Sequence, residues 1–151
     1  MTPEYLIIKG YYGERCAVRS GVKLINHIEE GLAILDTIQA SDIAKRAFCL
    51  HPITQNEIDI DLSWSNAYSL ACEYRDVANS YLCRPENDWI TTIGDVHKQV
   101  PSMSKDCVDM LLADKIQNRK DFRLYHQGTH ERSEELTEYF DLWIKYLYSL
   151  Y

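Results

Sequence analysis

Long hydrophobic runs are missing from this chain of 151 residues, and so is any excess of positive charge. No apolar stretch approaches the roughly 20 residues that a membrane-spanning helix needs, so no membrane partner is expected. Lys and Arg total 16 against 23 Asp and Glu, a formal net charge of -7. A nucleic-acid surface needs clustered cations, so that class of partner is also not expected. Glycine (6) and proline (4) are sparse, which excludes collagen-like and low-complexity architectures and leaves room for long regular elements. The five cysteines, Cys16, Cys49, Cys72, Cys83 and Cys107, form no CxxC pair and sit mostly among apolar residues. That pattern predicts reduced, buried thiols in a cytoplasmic protein rather than a disulfide framework or a thiolate zinc site. The opening MTPEYLIIKGYYGER lacks the basic start and long apolar run of a secretory signal. What is present is 46% hydrophobic and 26% charged residues, the balance of a globular domain. At this length, residues 1–151 make a single domain.

The dominant period is helical. Thr2 can cap and Pro3 can open a first helix to about Tyr12, broken by Gly13. Residues 15–21 read as a basic loop. From Val22, the residues Leu24, Ile28, Leu32 and Leu35 recur at helical spacing. Ser41 is the expected N-cap of a helix carrying Ile43, Ala44, Ala47, Phe48 and His51, which Pro52 ends or bends. PITQNEIDIDLS reads as an acidic loop beside a pocket. Ser63 is the expected cap of a helix through Trp64, Ala67, Tyr68, Ala71 and Tyr74, and RPENDW reads as a turn. The stretch from Trp89 to Pro101 is ambiguous. Ser104 can cap a helix that puts Cys107, Leu111, Asp114 and Asn118 on one face. After an HQGTH turn, a last helix carries Leu136, Phe140, Trp143, Leu147 and Leu150. The expected fold is all-α, with about five to seven helices in one compact domain.

Polar groups stand where apolar ones are expected on three of these faces. His27 follows Leu24 on the second helix, His51 follows Ala47, and Asp114 follows Leu111. A buried Asp is costly unless it is paired, hydrogen-bonded or metal-bound. Two His and one Asp from three helices make a three-ligand site for a divalent ion, or a satisfied internal hydrogen-bond cluster.

Together the segments YYGERCAVRSGVKLINHIEEG, AFCLHPITQN and LLADKIQNRKDF resemble the HD-type hydrolase domain of the RelA/SpoT-like enzymes, which remove pyrophosphate from guanosine tetraphosphate. The resemblance covers about four-fifths of the chain by motif order. It implies a helical HD-like domain in which His27, His51 and Asp114 are metal ligands; with two of the family's four ligand positions replaced, no cofactor is expected beyond a divalent metal such as Mn²⁺ at reduced affinity. It also implies that Asn118 belongs to a nucleotide site. Basic residues beside that site are Arg15, Arg19, Lys23, Lys115 and Arg119. The departures from the family pattern are specific. Tyr11 stands near the place of the first metal-binding His, and Pro52 replaces the Asp of the His-Asp pair. Gln55 and Asn56 replace the acidic pair that assists hydrolysis. Amides keep hydrogen-bonding capacity but cannot act as bases near neutral pH.

Three functions follow as expectations. The first is a catalytically silent HD-like module that binds a phosphorylated nucleotide or a protein partner, as a regulator, sequestering protein or inhibitor. Its ligand contacts would come from Arg15, Arg19, Lys23, Gln55, Asn56, Lys115 and Asn118. The second is a metal-dependent phosphohydrolase in which Glu57, Asp59 or Asp61 substitutes for the missing acids. The third is an interaction protein that self-associates through its aromatic last helix, which carries Tyr139, Tyr146, Tyr148 and Tyr151.

Overall fold

The computed structural model of the protein describes residues 1–82 and 102–151. Among them are six helices and no strand: α1 (Pro3–Tyr12), α2 (Ile25–Thr37), α3 (Asp42–Gln55), α4 (Tyr68–Leu82), α5 (Lys105–Tyr125) and α6 (Ser133–Tyr148). The all-α expectation holds. The RPENDW turn, Cys83 and the ambiguous stretch up to Pro101 lie outside the described residues.

Local chemistry sets most of the helix ends. The Thr2, Ser41 and Ser104 hydroxyls accept from the amides of Tyr5 (3.3 Å), Ala44 (3.1 Å) and Cys107 (3.2 Å), so each cap satisfies a donor the helix cannot. Gly13, at φ 53°, closes α1 by donating its N–H to the Lys9 carbonyl. Residues 13–24 then form a compact loop, pinned where the Leu24 amide meets the Arg15 carbonyl and the Ala17 amide meets that of Val22. Consequently α2 starts at Ile25 rather than Val22.

Two other expectations need correction. Helix α3 runs on through Pro52 to Gln55. Helix α4 begins at Tyr68, not beside Ser63, because the Ser63 hydroxyl is donated to Asp61 Oδ1 (2.7 Å) and Trp64 Nε1 to the Asp61 carbonyl (3.1 Å). Those bonds hold residues 61–64 as a turn.

Helix α3 is the axis of the domain, packed against α1, α2, α4 and α5. Every residue from Ala47 to Thr54 is buried, as expected of a helix with neighbours on all sides. Helix α5 packs on α2, α3, α4 and α6. The last helix sends Trp143, Tyr146 and Leu147 into its own domain, leaving Tyr148, Leu150 and Tyr151 exposed. Trp143 and Tyr146 are therefore core side chains, not a surface for a second copy. Cys49 and Cys107 are buried free thiols, whereas Cys16 is exposed, against expectation. No described helix is long and apolar enough to cross a membrane.

Candidate functional site

Helices α2, α3 and α5 deliver His27, His51 and Asp114 to one point, as their inward positions predict. One ligand atom from each lies within 4.8 Å of the others. The two Nε2 atoms are 3.2 Å apart, and His27 Nε2 is 3.4 Å from Asp114 Oδ1. Two donors bound at about 2.0–2.1 Å in tetrahedral geometry are separated by about 3.3 Å, so these two spacings suit a shared ion.

Hydrogen bonds behind the rings set the protons. The Gln117 amide donates to Glu30 Oε2 (3.1 Å) and Asp121 Oδ2 (2.7 Å), which leaves its Oε1 as acceptor for His27 Nδ1 at 2.6 Å. His51 Nδ1 faces the Phe48 carbonyl at 2.6 Å. Both imidazoles thus carry a hydrogen on Nδ1, and in their neutral forms both turn bare Nε2 lone pairs toward Asp114. Facing lone pairs repel, and a cation at the focus would relieve that repulsion.

Pro52 contributes to this arrangement. In a regular helix the amide of residue 52 would donate to the carbonyl of residue 48, but proline has no N–H. The Phe48 carbonyl is thereby left to His51. This proline releases the acceptor that fixes the His51 tautomer.

Burial, followed by the neighbouring His27, pushes His51 down to about 3, so its ring is neutral at ordinary pH. Burial opposes the charge on Asp114, but Lys115 and the two imidazoles outweigh it and hold the carboxyl at about 2. Asp114 Oδ2 accepts from Lys115 Nζ at 3.0 Å and Oδ1 from Asn118 Nδ2 at 2.9 Å. The cluster opens into a cavity of about 320 Å³ whose wall includes Tyr12, Ser20, Lys23, Gln55, Asn56 and Asp121.

Several expected site residues lie elsewhere. Tyr11 is half-buried beyond the cavity wall, where its neighbour Tyr12 stands instead. Arg15 is spent on the Tyr11 and Tyr12 carbonyls at the end of α1. Arg19 lines a separate cavity with Tyr125, His126 and His130. Arg119 pairs with Asp141 at 2.8 Å. Lys115 is 2% exposed, bonded to Asp114 and facing the Tyr139 and Trp143 rings, so it cannot reach a ligand. Glu57, Asp59 and Asp61 are exposed and take no part in the cavity wall. Lys23 does reach the cavity, paired with Glu14 at 2.5 Å. Gln117 and Asp121 were missed, although their positions three and seven residues beyond Asp114 put them on the same face of α5.

No protein-family model, curated protein or solved structure matches the chain.

Proposed function

We propose that the protein is a catalytically silent HD-like module that sequesters a phosphorylated nucleotide in the α2–α3–α5 cavity, with a divalent cation such as Mn²⁺ held by His27, His51 and Asp114. The observation that carries this reading is the focus itself, two bare imidazole nitrogens and a carboxylate oxygen turned toward one point. The ion would supply the positive charge that draws a phosphate oxygen. Lys23 is the one cationic residue lining the cavity among the described residues, and Glu14 already engages it.

The composition of the wall supports silence. A hydrolase of this type needs a carboxylate free to take a proton from water. Positions 52, 55 and 56 offer proline and two amides. Asp121, the other carboxylate of the cavity, is engaged by Gln117 at 2.7 Å and Lys120 at 2.9 Å. Asn56 Nδ2 donates to the Pro52 carbonyl at 2.7 Å, which leaves its oxygen to accept from a ligand.

Titration calorimetry with Mn²⁺ alone, then with guanosine tetraphosphate or GTP in the presence and absence of Mn²⁺, tests the reading. The expected result is Mn²⁺ binding that Asp114→Ala abolishes, Mn²⁺-dependent nucleotide binding, and no pyrophosphate release. Absence of heat and of thermal shift in every combination rejects it. Mn²⁺-dependent hydrolysis would instead make the protein an enzyme of the same fold.

A further inference from the structure

We infer that Phe48 is the positioning residue of the histidine pair, and that Gly31 is glycine because the Phe48 ring occupies the space its side chain would take. A Cβ built on Gly31 would lie 2.2 Å from Phe48 Cε1 and 2.3 Å from Cζ, far inside any van der Waals contact. The ring is fully buried, so it cannot swing out into solvent. It lies against both imidazoles, with centroids 5.7 Å from His27 and 4.6 Å from His51. The Tyr74 ring closes the far side of His51 at 4.9 Å. The Phe48 carbonyl also accepts from His51 Nδ1. Phe48 therefore sets the His51 tautomer with its carbonyl and the angle between the two rings with its side chain. Helix α2 supports the ring by having no side chain at position 31, one turn along from His27 on the same face.

The tilt of each ring decides whether both Nε2 lone pairs meet at one point. Groups that orient ligands in this way are worth about 10–100-fold in metal affinity. The metal readout rests on the function proposed above; the imidazole readout does not.

The experiment compares Gly31→Ala, Gly31→Ala/Phe48→Leu and the control Gly10→Ala, whose added methyl meets nothing within 4 Å. Mn²⁺ affinity is measured by calorimetry, and the protonation pattern of His27 and His51 by ¹⁵N NMR of the metal-free protein. Gly31→Ala is expected to weaken Mn²⁺ binding at least about tenfold and to shift both imidazole signals. The double variant, with a smaller side chain at 48, is expected to regain the folding stability lost in Gly31→Ala but, lacking the ring, neither the affinity nor the imidazole signals, and Gly10→Ala is expected to change nothing. Wild-type affinity with unshifted imidazole signals in Gly31→Ala overturns the inference. So does a folded double variant with wild-type Mn²⁺ affinity and wild-type imidazole signals, since it lacks the Phe48 ring. If the wild type binds no Mn²⁺, the metal reading fails and the imidazole signals alone decide the role of Phe48.

Discussion

Glu4 offers the sharpest energetic test of the fold. It is fully buried in α1, where its Oε1 accepts from Arg46 of α3 (2.7 and 3.1 Å) and from the Ser65 hydroxyl (2.6 Å). Burial works against its charge, but the Arg46 and Ser65 hydrogen bonds prevail and bring the carboxyl from 4.5 down to about 2. At about 1.4 kcal/mol per pH unit, that difference corresponds to about 3 kcal/mol. Arg46 is 30% exposed, so screening by water reduces the figure to about 2 kcal/mol. The sign is fixed by the direction of the change. Because the folded carboxyl is the stronger acid, the contribution is complete above the unfolded value of 4.5 and disappears as the pH falls toward 2. Glu4→Gln should therefore lose about 2 kcal/mol at pH 7 in urea unfolding. The gap to wild type should close as both proteins are taken from pH 5 to pH 2. A variant as stable as wild type at pH 7, or one with an unchanged pH profile below 5, refutes the reasoning.

Other outcomes follow from the caps and the core. Ser104→Ala should cost about 1–2 kcal/mol in urea unfolding, since Ser104 caps α5 and its amide and hydroxyl both donate to Glu73 of α4. Trp143→Ala should cost about 3–5 kcal/mol, because the indole is 1% exposed. Light scattering should give the same mass for that variant, while folded, as for wild type, and a change of mass would assign Trp143 to an interface.

The legible part of the sequence was local. Thr2, Ser41 and Ser104 announce their helices because a hydroxyl cap is a short-range device. His27, His51 and Asp114 could be singled out because each interrupts an apolar stripe, and a stripe records which face turns inward. Ser63 misleads because its hydroxyl has a competing partner two residues back in Asp61. Pro52 does not end the helix, because a side chain takes over the carbonyl that its missing amide leaves unpaired. The basic residues were the least legible. Charge alone does not distinguish an Arg15 folded back on α1, an Arg119 paired across to α6, or a Lys115 buried in the interior. Those fates depend on tertiary neighbours that spacing does not encode.

The ammonium of Lys115 has a consequence for occupancy. Walled in by Tyr139 and Trp143, it is a resident counterion for Asp114. The carboxylate therefore has its compensating charge before any guest arrives, which lowers the ordering that would oppose capture of a ligand.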